Sequence, residues 1–520
     1  MRRFIKKHAD LLKNIFFIFV FYLIALFFYA FSDILIFNKP TLLISDELKT
    51  QSIATNNLTS YKEKTFNNIK VTIPTSNYNS IAYILADNLN VSYLSNYLAN
   101  HGYLCFTFSP SNINEIEHII NRSITSLSHP TIEFGDQLLN KGDKNSVSLI
   151  SIGAVGDFLF KTTLDELNHP EIGISSALLI APMINLDIKN QNEVPYIPIG
   201  VVLPEFDGIV RSLDGQSIYN NYLIHYDILE PISTLYLFGA NHNFFYDVAS
   251  YDDALNIDML TNKSDDIEEI LRLDQKAQQN FIKKYTLEFL NFYNFSDTFV
   301  NIGLNPSHIA PNTIFNQKVL TSLLTPDSFP ILSPTHLTSK NHNNIGGAIK
   351  MSNASISQIR ESYIKPHDSA TAFLHPGLFV DLGLINLSWN VDIGNFTTFI
   401  PQSFKDFSEF TALSIWIATN PSSSLNAKTK QQSFIITVQD LFGRQEHILI
   451  DSNNALRIPN GKEVLTKYQQ QWSTFTPLSN IRIPLDLFNK IDISKVVSIS
   501  FNFNQTQSGS IYIGDIRLIK

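Results

Sequence analysis

Short hydrophobic runs recur between residues 68 and 239 and alternate with stretches of helical character. The candidate strands are NIKVTIP (68–74), SIAYILA (80–86), YLCFTFS (103–109), SVSLISI (146–152), SALLIAP (176–182), IGVVLPE (199–205) and STLYLFG (233–239). Several are apolar at nearly every position, which is typical of strands that are covered on both faces. The pattern therefore predicts an α/β unit, in which a mostly parallel sheet carries helices on both faces.

A long helical stretch at 271–293 closes this unit, because its apolar residues recur every four positions as a buried stripe. We place the α/β unit at 60–295. Beyond it, residues 296–369 are rich in Asn, Ser, Thr, Pro and His and have no clear period. This composition predicts a linker, of which apolar parts such as VLTSLL (319–324) pack on a neighbouring domain.

The hydrophobic period changes to two from about residue 370. Apolar residues occupy every second position between 434 and 438 and again between 497 and 503, and turn sequences such as PNGK (459–462) separate the runs. Short alternating strands without helices between them predict an antiparallel β-sandwich over 370–520.

The amino terminus carries a different signal, because residues 15–37 are almost entirely apolar. At ~1.5 Å per residue this helix would reach ~35 Å, which is enough to cross a bilayer. The preceding residues 1–14 form a basic tail, so the positive-inside rule predicts a single transmembrane anchor with its N-terminus in the cytoplasm. The rest of the chain would then lie in the periplasm of a bacterium, outside the cytoplasmic membrane. A cleaved signal peptide is the alternative interpretation.

Composition excludes several classes of protein. A formal net charge of −9 and the lack of a basic stripe argue against binding to nucleic acid. The single cysteine, Cys105, excludes a disulfide framework and cysteine-based metal sites. The histidines lack the short spacing that metal ligands favour, so we expect neither a metal nor another cofactor.

Two residues of the α/β unit are candidates for a catalytic acid and base. Asp207 follows the strand at 199–205, and His242 follows the next strand, at 233–239. Open α/β sheets place their functional groups just past the carboxyl ends of strands. An acid followed one strand later by a histidine is the order of the acid and base in an α/β-hydrolase triad, where the carboxylate orients the imidazole.

At this point the sequence resembles secreted bacterial α/β-hydrolases of the lipase/esterase type that carry a C-terminal β-sandwich. The most specific matching segments are YLSNYLANHGYLCFTFSPS (93–111), LPEFDGIVRSLDGQSIYNN (203–221), GANHNFF (239–245) and PLDLFNKIDISKVVSISFNFNQTQSGSIYIGDIRL (484–518). The resemblance implies that Asp207 is the triad acid and His242 the triad base.

The nucleophile position departs from this family. The family's elbow reads G-H-S-x-G-G and an acidic residue, whereas this chain has SIGAVGD at 151–157, which puts Gly153, or with a shift of one Ala154, in place of the serine. Ala86-Asp87 stands where the family has H-G beside the oxyanion. A carboxylate there would oppose developing negative charge, where donors are needed.

These departures predict a pseudoenzyme, a catalytically degenerate hydrolase with a binding or envelope-assembly role. One alternative is an active carboxylic-ester hydrolase with a displaced nucleophile, for which Ser151 on the same turn is the nearest candidate. Another is an envelope protein that binds a carbohydrate or other polymer through its sandwich. Trp389, Trp416 and Trp472 lie there, and an exposed indole could stack on a sugar ring, although core packing is the default.

The anchor can be tested directly. We expect the full-length chain to stay in the membrane pellet through an alkaline carbonate wash, because an uncleaved apolar helix is held by the bilayer itself. Release of a shortened, soluble form would contradict the anchor and favour the signal peptide.

Overall fold

The computed structural model describes residues 40–43, 59–164, 172–185, 193–210, 214–224, 228–249, 251–254, 272–296, 300–361, 382–420, 423–427, 430–457 and 477–520. The chain divides into two units, Met1–Thr41 and Leu42–Lys520, with a two-residue strand, Thr41–Leu42 (β1), at the boundary. The predicted basic tail (1–14) and anchor (15–37) lie outside the described residues. Within the described ranges, no helix combines the length and the apolar character that crossing a bilayer requires.

A large mixed sheet forms the first part of the second unit. Its strands are β2 (Tyr61–Phe66), β3 (Ile69–Pro74), β4 (Asn79–Ala86), β5 (Tyr103–Phe108), β6 (Gly142–Ile152), β7 (Ile174–Ile180), β8 (Ile199–Phe206), β9 (Ile232–Asn241), β10 (Thr313–Ile314) and β11 (Gln317–Leu324). They lie in the order β10-β11-β9-β8-β7-β6-β4-β5-β3-β2. Strands β5, β4, β6, β7, β8 and β9 pair in parallel, and antiparallel strands flank them.

Helices cover both faces of this sheet, as predicted. The helices are α1 (Ser92–Asn100), α2 (Ile113–Ser128), α3 (Gly156–Leu164), α4 (Gln216–Leu223) and α5 (Gln275–Phe295). One apolar core contains residues of α2, α3 and α4, and the other contains residues of α1 and α5. Helix α5 begins later than predicted because Asp274 caps it, accepting from the Ala277 amide at 2.7 Å.

The C-terminal part consists of two antiparallel sheets that enclose a third core. Its strands are β12 (Phe329–Leu332), β13 (Ile349–Ser352), β14 (Ala354–Glu361), β15 (Leu382–Trp389), β16 (Gly394–Phe399), β17 (Ala412–Thr419), β18 (Phe434–Asp440), β19 (Gln445–Ile450), β20 (Ser479–Pro484), β21 (Val496–Phe503) and β22 (Gly509–Ile519). One sheet contains β19-β18-β21-β16-β13, and the other contains β14-β15-β22-β17-β20. The predicted class, an α/β fold with a β-rich C-terminal part, is confirmed.

The predicted boundaries differ from the observed ones. The segment 296–369, predicted as a linker with apolar parts that pack on a neighbouring domain, contributes β10 and β11 to the large sheet, and β12, β13 and β14 to the sandwich. The sandwich therefore begins well before residue 370. Strands β13 and β14 lie at the edges of their sheets. Edge strands carry more polar residues, and these residues interrupt the alternation of apolar and polar positions by which a strand is recognised in a sequence.

The sandwich also helps to cover the large sheet. Trp416 and Tyr512 belong to the same apolar core as helix α4, and the indole of Trp416 packs against Tyr219 with ring centroids 5.7 Å apart. A buried ion pair joins the two parts, because Arg457 Nη1 lies 2.8 Å from Glu205 Oε1 on β8. The second Glu205 oxygen accepts from the Gly239 amide at 2.8 Å. Because the two parts share a core, they are not independent domains joined by a linker.

Loss of this ion pair should destabilise the whole unit. Arg457→Met leaves the carboxylate of Glu205 buried with its cation removed, which is expected to lower the free energy of unfolding by about 3–5 kcal/mol. The matched control is Lys520→Met, because the exposed Lys520–Glu409 pair, at 3.8 Å, should contribute less than about 1 kcal/mol. Guanidinium unfolding followed by tryptophan fluorescence measures both, and equal effects would contradict the assignment.

Candidate functional site

The candidate residues meet at one edge of the large sheet. Asp87 follows β4, Gly153 follows β6, Asp207 follows β8 and His242 follows β9. These four strands are parallel, so their carboxyl ends share this edge. The structure thus brings together residues that are separated by up to about 150 positions in the sequence.

Asp207 and His242 are in contact, and both are buried. Nδ1 of His242 lies 3.1 Å from Oδ2 and 3.2 Å from Oδ1 of Asp207. Asp207 Oδ1 also accepts from the amides of Ile209 and Val210, at 2.9 and 2.6 Å. The carboxylate is therefore fixed by its own turn and presents an acceptor to the imidazole, which favours the tautomer that carries its proton on Nδ1.

A residue that the sequence did not single out holds the histidine loop in place. The carboxylate of Asp253 accepts from the amides of Gly208, His242 and Asn243, at 2.8, 3.1 and 2.9 Å. It therefore ties the turn after β8 to the turn after β9. No motif marks Asp253, since its role depends on a loop folding back onto two strand ends.

The charges around His242 favour its protonated form. Burial alone would lower the pKa of the imidazole, but the negative charge and hydrogen bond of Asp207, together with Asp253 and Asp87, outweigh it and raise the pKa above its usual value. The same burial raises the pKa of Asp253. The surrounding carboxylates therefore make His242 easier to protonate than an exposed histidine.

The turn between β6 and helix α3 is tight. Gly153 is the first residue after β6 and has φ +80°, the left-handed conformation that a tight strand-to-helix elbow requires. Helix α3 then begins at Gly156. Gly153, and not Ala154, has the positive φ at this turn.

Other side chains fill the space that a side chain on Gly153 would need. A Cβ atom on Gly153 would lie 2.5 Å from the Tyr246 hydroxyl and 2.7 and 2.9 Å from the two Asp87 oxygens. These distances are far below van der Waals contact. No side chain larger than hydrogen fits at Gly153 unless Asp87 and Tyr246 move.

Asp87 lies against the turn that follows β6. Its Oδ2 accepts from the Ala154 amide at 3.3 Å, and its Oδ1 accepts a hydrogen bond from the hydroxyl of Tyr246. Ala86, which ends β4, is buried and has only a methyl side chain. Burial and the neighbouring Asp87 charge both raise the pKa of Tyr246, so this phenol remains a hydrogen-bond donor.

The structure places Ser151, the candidate for a displaced nucleophile, inside the sheet. It lies within β6, is fully buried, and its hydroxyl has no hydrogen-bond partner among the described residues. The hydroxyl lies 3.5 Å from the place of a Cβ on Gly156, next to Pro182, so it fills the inner corner of the turn. In the described part of the chain, no hydroxyl hydrogen-bonds to the His242 imidazole.

Comparisons with known proteins leave the family open. No protein-family model and no curated protein matches the sequence. Among solved structures, an esterase from Rhizomucor miehei is similar over 46% of this chain and 84% of its own, at 8% identity and TM-score 0.29. An arylesterase is similar over 29% and 67%, at 12% identity and TM-score 0.21.

A carbohydrate-binding module is also a distant structural neighbour. A family 11 carbohydrate-binding module from a cellulosomal cellulase of Clostridium thermocellum is similar over 37% of this chain and 94% of its own, at 13% identity and TM-score 0.22. Structural neighbours thus include esterases and a β-sandwich binding module, at similarities too low to assign an activity.

The His242–Asp207 contact predicts a pH dependence with a definite sign. The folded-state pKa of His242 is raised, so the charged contact stabilises the fold below the unfolded pKa of about 6.5, and this contribution disappears as pH rises through the folded pKa. Asp207→Asn should therefore lower the His242 pKa and destabilise the protein most at acidic pH.

Histidine NMR titration and urea unfolding across pH measure these effects. His447 serves as an internal control, because burial lowers the pKa of its imidazole in the distant sandwich and Asp207→Asn should leave it unchanged. A loss of stability that grows toward alkaline pH would contradict the assigned contact.

Proposed function

We propose that the α/β unit is a degenerate hydrolase that has lost serine-esterase chemistry and serves in binding or in envelope assembly. The observation that carries this proposal is the occupied elbow: the Asp87 carboxylate and the Tyr246 hydroxyl lie where a side chain on Gly153 would have to be. An acid–histidine pair remains beside an elbow that has neither a nucleophile nor room for one.

Electrostatics at the oxyanion position support the same proposal. Ester hydrolysis needs hydrogen-bond donors where negative charge develops on the carbonyl oxygen. Here the Ala154 amide, which would serve as one such donor, already donates to the Asp87 carboxylate. A developing oxyanion would have to displace a fixed negative charge, and this raises the barrier instead of lowering it.

The position of Asp87 supports a ligand other than a neutral ester carbonyl. Asp87 and Ala154 are exposed, whereas His242 and Tyr246 behind them are buried. A ligand that approaches this edge would meet a carboxylate first. The proposed occupant is therefore a group that donates hydrogen bonds or carries positive charge, presented by an envelope polymer or protein.

Membrane anchoring through residues 15–37, with the remaining chain in the periplasm, is part of the proposal and rests on the apolar run and the basic tail. The sugar-binding alternative has less support, because Trp389 and Trp416 are buried core residues and cannot stack on a ligand. Trp472 lies outside the described residues. The displaced-nucleophile alternative is weakened by the position of Ser151 inside β6.

A gain-of-function variant with combined substitutions tests the proposal. The parent protein and Gly153→Ser alone should not react with a fluorophosphonate probe, because Asp87 still fills the site in both. Asp87→Gly/Gly153→Ser/Tyr246→Phe puts the family's glycine and serine at positions 87 and 153 and removes both groups that crowd a side chain there. This variant should be labelled, with the labelling lost on adding His242→Ala. Labelling is read by in-gel fluorescence, and turnover by short-chain p-nitrophenyl esters.

Labelling and ester turnover of the parent protein decide whether the proposal stands. Labelling of the parent, or ester turnover by it, that disappears in His242→Ala would overturn the degenerate assignment. Asp157→Asn is the matched control for removing a carboxylate near the elbow, since Asp157 belongs to helix α3, where it pairs with Lys161 at 2.7 Å. It should leave the parent unlabelled.

A further inference from the structure

Exposed apolar side chains border the candidate site. Five residues, which we call the apolar rim, lie on loops that follow the carboxyl ends of β4, β7, β8 and β9, and Asp87 lies at the same edge of the sheet. They are between 39% and 66% exposed: Leu89, Met183, Ile209, Val248 and Tyr251. Single exposed apolar residues are common on proteins, whereas several on one edge are typical of a docking surface.

The loop after β9 contacts the loop after β4. The Asp247 amide donates to the Asn90 carbonyl at 2.6 Å, which closes the gap between the two loops. Val248 and Leu89 are the chain neighbours of these two residues. Two members of the rim therefore come from loops that are in direct contact, although about 160 positions separate them in the sequence.

The loops after β8 and β9 are joined in a similar way. The Asp253 carboxylate accepts from the Gly208 amide at 2.8 Å, and the Tyr251 carbonyl accepts from the side-chain amide of Asn243 at 3.1 Å. Ile209 directly follows Gly208. Hydrogen bonds to buried groups thus fix the backbone that carries this part of the rim.

The width of the rim limits what can cover it. Strands β9, β8, β7, β6 and β4 are consecutive neighbours, so four spacings of ~4.8 Å separate the two ends of the rim by ~19 Å. Met183 follows β7, in the middle of this span. A single small ammonium ion cannot contact side chains over such a distance, whereas about six residues of extended peptide can.

Asp87 is a carboxylate without a cation. Among the described residues it accepts from the Ala154 amide and from the Tyr246 hydroxyl, which are both neutral groups. Two further carboxylates of this edge, Asp247 and Asp253, accept only from backbone amides in the described part of the chain. Three negative charges here therefore lack a counter-ion.

Most cations next to this edge are already paired. The pairs are Lys161–Asp157 at 2.7 Å, Arg272–Asp252 at 2.8 Å, His242–Asp207 at 3.1 Å and Lys70–Glu63 at 3.4 Å. Lys276, in the first turn of α5, is exposed, and Asp274, the cap of that helix, offsets its charge. The described part of the edge is therefore negative, and a positively charged partner complements it.

We propose that the apolar rim and Asp87 form a docking surface for a peptide segment of a protein partner, in which a basic residue lies between apolar residues. The basic side chain would meet the Asp87 carboxylate, and its apolar neighbours would cover the rim. This inference rests on the proposed binding role of the α/β unit and names the class of partner.

Binding of labelled peptides to the full-length chain tests the surface. The protein is held in phosphatidylcholine nanodiscs, and empty nanodiscs give the background. Three peptides share the sequence Ser-Leu-Val-X-Val-Leu-Ser and a neutral fluorophore, and X is lysine, norleucine or glutamate. Fluorescence polarisation measures the affinity of each peptide.

The lysine peptide should bind more tightly than the norleucine peptide, and the glutamate peptide should bind most weakly. Asp87→Asn should lower the affinity for the lysine peptide by about fivefold, the effect of one exposed ion pair, and should leave the norleucine peptide unchanged. Val248→Ser removes an exposed apolar side chain from the rim and should weaken both peptides.

Leu229→Ser is the matched control for Val248→Ser. Leu229 is 51% exposed and precedes β9, whereas Val248 lies in the loop that follows it. The ten residues of this strand place its two ends roughly 30 Å apart, so Leu229→Ser should leave all three affinities unchanged. Unchanged thermal midpoints confirm that the variants fold.

Equal affinities for the three peptides would overturn the proposal, and so would an unchanged affinity for the lysine peptide in both Asp87→Asn and Val248→Ser. A glucosamine hexamer, which carries amines without apolar neighbours, should compete only weakly. Competition as strong as that of unlabelled lysine peptide would contradict a peptide partner. Fluorophosphonate labelling reports the lost chemistry separately, so failure of the docking surface is distinguishable from failure of the proposed function.

Discussion

Two-sided burial of the large sheet is the constraint on which the rest of the structure depends. Strands such as β4 and β8 are buried along their whole length, so every part of both sheet faces needs a cover. Helices supply most of it, and the sandwich supplies the rest through Trp416 and Tyr512. The polar groups that this shared interface buries need partners inside it, and the Glu205–Arg457 pair is one such contact.

The parallel strands of that sheet also create the site. Their carboxyl ends deliver Asp87, Gly153, Asp207 and His242 to one edge, and Asp253 ties two of the turns together through three backbone amides. This edge therefore carries a buried acid–histidine contact. The turn at Gly153 beside it is crowded by Asp87 from the neighbouring strand end and by Tyr246.

Sequence patterns predicted the parts of this arrangement that depend on local order. The hydrophobic runs located strands β3 to β9 closely, and the order of Asp207 and His242 along the chain predicted their contact. The strands in 296–361 escaped prediction, because β13 and β14 are edge strands with mixed polarity and β11 pairs with a strand about 80 residues earlier. Asp253 and Tyr246 escaped it too, since each acts only on residues from another loop or strand end.

The sequence by itself determined that Gly153 cannot attack a carbonyl, because glycine has no side chain. It also determined that Asp87, directly after the fourth strand, brings a carboxylate to the edge of the sheet. Only the tertiary structure decided that the Asp87 carboxylate and the Tyr246 hydroxyl occupy the space that a side chain on Gly153 would need. The reason is physical: three residues far apart in the chain converge within van der Waals distance only after the parallel strands have aligned their ends.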